Sequence, residues 1–131
     1  MKAIVDTNVL LFDTFEDSDH HEDATLGLDS LDGWGLPDMV FHELVWFFRD
    51  QNVKIPRAIS KVNEFLTHEK TMFVQCTTDD VRFACSKMRS YKEYNDLVIL
   101  SAAVRLDLPL FSFDQELNAI AKRNSIEVVK T

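Results

Sequence analysis

The 131-residue chain has only two cysteines, Cys76 and Cys85, three glycines and three prolines. Two isolated thiols exclude a disulfide framework and a cysteine-built zinc site, and they read as reduced core residues. So little glycine and proline excludes a low-complexity or collagen-like chain. A long apolar run is missing as well, since no stretch approaches the roughly 20 residues of a membrane helix. The first residues turn acidic where a signal peptide would be basic ahead of its apolar segment. These absences predict a cytoplasmic location. With 46% apolar residues, residues 1–131 suit a single helix-rich domain, long enough to bury a core without staples.

Basic charge is also scarce, and unevenly so. The formal net charge is −8. Residues 1–35 carry nine acids against Lys2 alone, whereas residues 36–131 carry 13 acids and 13 bases. An acidic chain is a poor generic binder of nucleic acid, so any polyanion site must be a confined patch or depend on bound cations.

What is present is an alternation of short apolar runs with helical patterns. Residues 2–5 read as a buried strand running into a helix at Thr7–Phe12. A polar stretch follows over 13–21, with His20 and His21 read as solvated, and then a weak amphipathic helix over 22–32. Beyond Gly33-Trp34-Gly35, Pro37-Asp38 opens a helix to about Arg49, and Pro56 sits in the first turn of another, 56–68. Residues 71–76 are β-rich, and Thr77 or Thr78 with Asp80 starts a helix over 79–90. A helix over 94–106, a strand over 108–112, a helix over 115–124 and a strand over 126–129 complete the chain. This order predicts an α/β fold with a mainly parallel sheet between helices.

Four acids are conspicuous in that frame. In open parallel sheets, ligands bind beyond the carboxyl ends of the strands, where the strand order reverses. Asp6 falls just past the first strand and Asp114 just past the strand at 108–112, so the two converge if those strands are neighbours. Glu43 lies in Met39–Phe48, where eight of ten residues are apolar. Asp96 opens a strongly apolar helix. An acid in such a setting seldom persists without a base or a metal. Each also has a plain alternative: Asp6, Asp96 and Asp114 as helix caps, and Glu43 paired with Arg49.

Taken together, V-D-T-N-V-L-L at 5–11, the mid-helix Glu43, N-D-L at 95–97 with I-L-S-A-A at 99–103, and L-F-S-F-D at 110–114 resemble the PIN domain family. The resemblance covers nearly the whole chain and is closest to VapC-type toxins of toxin–antitoxin pairs. It implies a three-layer α/β/α sandwich with a four- to five-stranded parallel sheet and a metal-dependent ribonuclease activity. Asp6, Glu43, Asp96 and Asp114 would be the catalytic, metal-holding quartet, with Asn8 and Ser112 as supporting or substrate contacts. One departure is Leu117, where the family often has an aromatic residue. Glu116 beside it is either an outer ligand or a solvated charge.

Four clustered carboxylates repel one another, at roughly 4 kcal/mol for each like pair 4 Å apart at an effective dielectric near 20. A hard divalent cation, Mg²⁺ or Mn²⁺, relieves this and activates water against a phosphodiester. In-line hydrolysis would leave a 5′-phosphate and a 3′-hydroxyl. For the RNA substrate, Arg82, Lys87, Arg89 and Lys92 form an acid-free basic run with Tyr91 available for stacking. Lys54, Arg57 and Lys61 form a weaker stripe. Trp46, Phe47 and Phe48 cannot all face one core, which predicts a homodimer, as the resemblance also implies. It further implies an antitoxin whose basic side chain enters the acidic crevice.

Rival readings fare worse. His42-Glu43 suggests a zinc protease, but the second histidine of H-E-x-x-H falls at Trp46. An aspartyl-phosphate phosphotransferase built on Asp6 would usually need an acid at position 8, which is Asn8. A non-catalytic PIN-like RNA-binding or assembly module predicts missing acids, and all four are present.

Overall fold

The computed structural model describes residues 1–130. Its elements are β1 (Lys2–Val5), α1 (Thr7–Thr14), α2 (His21–Ser30), β2 (Gly33–Pro37), α3 (Asp38–Asp50), α4 (Ile55–Thr67), β3 (Thr71–Val74), α5 (Thr78–Lys87), α6 (Tyr94–Leu106), β4 (Leu110–Phe111) and α7 (Gln115–Arg123). A single 3₁₀ turn at Tyr91–Glu93 leads into α6. Four parallel strands lie in the order β3-β2-β1-β4. Beyond β4, Val128 forms an isolated parallel bridge to Leu110, so the strand expected over 126–129 shrinks to that bridge.

β2 is the element the sequence conceals, because glycine and proline ordinarily break strands. Here they serve close packing. All five residues are buried, and a Cβ on Gly35 would sit 2.6 Å from Ile4 Cδ1. Pro37 ends the strand and caps α3 in one step. The expected helix boundaries otherwise move by a few residues. Asp96 is the third residue of α6 rather than its cap, whereas Asp6 and Asp114 do cap α1 and α7.

Ala3, Ile4 and Val5 are wholly buried, so helices cover both faces of the sheet at β1. α6 is buried continuously from Leu97 to Ala103, the pattern of a helix apolar all round. Its position is fixed by charge as well as packing. Asp80, in the capping box of α5, is 1% exposed. It accepts from Ser101 Oγ at 2.8 Å and from Arg105 Nε and Nη2 at 3.2 and 3.1 Å. This network pulls the carboxyl of Asp80 below its usual range despite burial. It ties α5 to α6, whose first turn carries Asp96.

Two smaller expectations change. Cys76 is half-buried but Cys85 is exposed, and both are free thiols. His20 stacks on Phe113 with ring centroids 4.8 Å apart, and His21 Nδ1 lies 2.9 Å from the Phe12 carbonyl oxygen. His20 nonetheless stays exposed, as expected of a solvated residue, whereas His21 is half-buried. Among the described residues, no helix is long and apolar enough to cross a membrane.

Candidate active site

The chain proceeds from β1 outward to β2 and β3, then returns through α5 and α6 to β4 on the other side of β1. Strand order therefore reverses between β1 and β4, and there the two helices leaving the strands diverge and open a crevice. Asp6, Glu43, Asp96 and Asp114 all line this crevice, which has a volume of about 410 Å³. Asp6 and Asp114 arrive on adjacent strands, Glu43 from the middle of α3 and Asp96 from the first turn of α6.

Each acid is held differently. Asp6 Oδ1 accepts the Thr7 N–H at 2.8 Å and Oδ2 accepts the Ser112 hydroxyl at 2.7 Å. Burial still pushes its carboxyl up to about 6, against those two bonds and with help from Glu43 and Asp114. Glu43 receives only neutral donors, Thr7 Oγ1 at 2.5 Å and Asn95 Nδ2 at 3.3 Å. The alternative partner is engaged elsewhere: Arg49 pairs with Asp50 at 3.0 Å and lies over the Trp46 ring. Asp114 Oδ1 caps α7 by accepting from Glu116 N–H and Leu117 N–H. Asp96 has no hydrogen-bond donor among the described residues. Desolvation, then Asp6, Asp114, Glu43 and Glu116, push it up to about 7.

Ser112 and Asn8 knit the two strand ends together. Ser112 Oγ accepts the Asp114 N–H at 3.0 Å, and Asn8 Oδ1 accepts the Phe113 N–H at 3.3 Å. Asn8 lines the crevice. Glu116 is exposed and outside the crevice wall, acting on Asp96 only through its field. Thr7 and Asn95, which orient Glu43, do not stand out in the sequence. Their one signal was adjacency to Asp6 and Asp96.

The other expected residues separate. Phe48 is 2% exposed and belongs to the core, so it offers no surface to a partner. Phe47 is half-buried against Phe15 and borders the crevice, while Trp46 is 55% exposed at its rim. In the basic run, Arg82 pairs with Asp79 at 3.4 Å and Lys87 lies over Phe83. Tyr91 and Lys92 are exposed.

Among the described residues, no three Asp, Glu, His or Cys side chains stand close enough to form a ready-made metal cluster. The donor chemistry nonetheless fits a hydrated hard cation, which keeps several waters and takes only one or two carboxylates directly. A half-buried carboxylate at position 96 with acids for neighbours and no donor is what such an ion would neutralise. The arrangement suits an aspartyl nucleophile poorly, because both Asp6 oxygens are engaged and buried.

The raised carboxyls have a pH consequence. Asp6 and Asp96 bind protons more tightly folded than unfolded. Their stabilising contribution is whole below about pH 4 and is lost as pH rises through 6 to 7. The metal-free melting temperature is expected to fall between pH 4.5 and 7.5. Millimolar Mn²⁺ should restore it at pH 7.5, by about 2.7 kcal/mol at a hundredfold excess over the dissociation constant, and much less at pH 4.5. Calorimetry at both pH values with and without the ion checks this.

A parallel α/β sheet carrying an acidic crevice at its switch point is the layout of a family defined at the sequence level, whose model, described as PIN domain, matches residues 3–123. The chain belongs to the PIN domain family. No curated protein matches its sequence. Among solved structures, it is similar to VapBC2 from Rickettsia felis bound to a DNA fragment from their promoter, at 16% identity and TM-score 0.70, covering 98% of both chains. It is also similar to Mycobacterium tuberculosis VapC20, a sarcin-ricin loop cleaving toxin, at 14% identity and TM-score 0.75, covering 90% of this chain and 94% of that one. A toxin–antitoxin complex from Klebsiella pneumoniae aligns at 17% identity and TM-score 0.64, covering 89% and 90%.

Proposed function

We propose that this chain is a divalent-metal-dependent endoribonuclease and the toxin of a toxin–antitoxin pair. The observation that carries the reading is the convergence of Asp6, Glu43, Asp96 and Asp114 from four parts of the chain on one crevice, with Asp50 as a fifth acid and no base in its lining. Family membership and the fold shared with a toxin that cleaves the sarcin-ricin loop support it. Asp6, Glu43, Asp96 and Asp114 would hold Mg²⁺ or Mn²⁺. When bound, the ion supplies Lewis-acid chemistry, making water more acidic and neutralising charge on the phosphodiester. The chain's own part is positioning. Ser112 and Thr7 fix the carboxylate of Asp6, Thr7 and Asn95 orient Glu43, and Asn8 holds the β4–α7 turn that presents Asp114. The raised carboxyls of Asp6 and Asp96 are the groups whose negative charge an arriving cation would stabilise.

Two structures of similar fold are toxin–antitoxin complexes, which supports an antitoxin partner. A basic side chain of that partner would suit the acidic crevice. Trp46, half exposed on α3, is the apolar surface assigned to a homodimer. Trp46→Glu is expected to convert the dimer to a monomer by sedimentation, and an unchanged mass would remove Trp46 from the interface. The activity is tested with single-stranded RNA and Mn²⁺. Cleavage leaving 5′-phosphates and stopped by EDTA is the expected result. Cleavage indifferent to chelation contradicts the proposal.

A further inference from the structure

The sequence suggests an RNA track from Arg82 to Lys92, but the fold divides that run and recruits a residue from elsewhere. Lys87, the last residue of α5, and Arg89 line a groove of about 320 Å³ together with Arg123, the last residue of α7. Leu97 and Ile120 give the groove an apolar wall. Arg82 is not part of it.

Cations at helix C-termini are favourable in their own right, which would account for Lys87 and Arg123 singly. It does not account for their meeting in one concavity of a chain with net charge −8. Nor are they neutralised there. Among the described residues, neither has an acidic partner, and the one ion pair in the groove joins Arg89 to Glu93 at 3.6 Å. Glu93 also accepts the Arg89 N–H at 2.7 Å, so it shapes the turn while cancelling part of the charge.

The location decides what such a groove is for. α7 begins at Asp114 in the acidic crevice and reaches Arg123 nine residues later, roughly 13 Å along its axis. Asp96 lines the crevice while its neighbour Leu97 lines the groove. Helix α7 therefore leads from Asp114 to Arg123, and the first turn of α6 borders both sites. Tyr91, 91% exposed between Arg89 and Glu93, offers a ring on which a base can stack.

We propose that this groove clamps the phosphodiester backbone of the RNA at a distance from the scissile bond, with Arg123 as a binding residue. The proposal rests on the nuclease reading for the identity of its ligand. Because Lys87 and Arg89 come from the end of α5 and the turn after it while Arg123 comes from α7, the groove suits successive phosphates of a strand better than a single anion. A clamp of this kind contributes to substrate and transition-state binding alike, so its loss raises KM and leaves kcat unchanged.

The test is binding of a labelled 12-nucleotide single-stranded RNA in EDTA across a salt series, followed by cleavage kinetics with Mn²⁺. Arg123→Glu is expected to weaken binding on the order of tenfold at low salt and to flatten the log–log salt slope by about 0.7 for each phosphate no longer neutralised. Lys122→Glu, an equal charge change one residue away and outside the groove, should do much less. Glu93→Gln should tighten binding, a direction that damage to the fold does not produce. Equal losses in Arg123→Glu and Lys122→Glu, or none in either, overturn the clamp. RNA cleavage whose KM ignores Arg123→Glu refutes the clamp and leaves the nuclease intact. Binding that follows the groove variants without any cleavage refutes the nuclease and upholds the clamp.

Discussion

Asp6→Asn is expected to lower RNA cleavage by at least about a hundredfold, within the range for losing a positioned catalytic group, and to make the metal-free protein more stable at pH 7.5. The two effects have one cause. Asp6 is 4% exposed and its carboxyl is pushed from 3.8 up to about 6 by burial and by neighbouring acids. At neutral pH the folded state therefore carries a charge that the unfolded chain accommodates more easily. A shift of this size corresponds to roughly 3 kcal/mol. Asparagine removes the charge and keeps an oxygen for the Thr7 N–H. The Ser112 hydroxyl must turn to meet the amide, which offsets part of the gain, so a net stabilisation of about 1–2 kcal/mol is expected. Melting curves in EDTA at pH 7.5 and initial rates with Mn²⁺ measure both quantities. A purely structural aspartate, kept as a helix cap, would give a different pattern: nearly unchanged stability, because asparagine caps about as well, and a modest effect on rate.

The second large effect lies away from the crevice. Arg105→Ala is expected to cost about 3–5 kcal/mol, because it strands the carboxylate of Asp80 in the interior with Ser101 as its remaining side-chain donor. For a domain of this length that is a fall of roughly 10–20 °C in melting temperature. The same carboxylate removed together with its partner, in Asp80→Asn with Arg105→Met, should cost markedly less, since no buried charge is left unpaired. Denaturant melts of the single and double variants separate the two cases. The network joins α5 to the helix that carries Asp96, so its loss is also expected to loosen one wall of the crevice.

The contrast between these two aspartates explains much of what the sequence reveals. Both are buried and both take part in capping helices. Asp80 is matched by a base on α6, whereas Asp6 is matched by hydroxyl and amide donors alone. An unmatched acid in an apolar setting is visible in one dimension, which is why Asp6, Glu43, Asp96 and Asp114 stand out from their neighbours. Their meeting place follows from the alternation of strands and helices once β1 and β4 are taken as neighbours, and they are.

What stayed hidden is of two kinds. β2 is written in residues that propensity assigns to turns, and only the approach of Ile4 to Gly35 gives a reason for them. The groove at Arg123 joins cations more than 30 residues apart, with no pattern around either to announce the other. Trp46, Phe47 and Phe48 could be recognised as too many for one core, but not sorted. The sorting depends on the rotation of α3, which buries Phe48, leaves Phe47 half-covered beside the crevice and exposes Trp46.

Diffraction from a crystal soaked in Mn²⁺, collected for anomalous signal, puts the central idea to its most direct trial. Anomalous density inside the crevice bordered by Asp6, Glu43, Asp96 and Asp114, and absent from Asp6→Asn crystals soaked alike, is the predicted result. An empty crevice at saturating Mn²⁺, with ions found only at other acids, would contradict it.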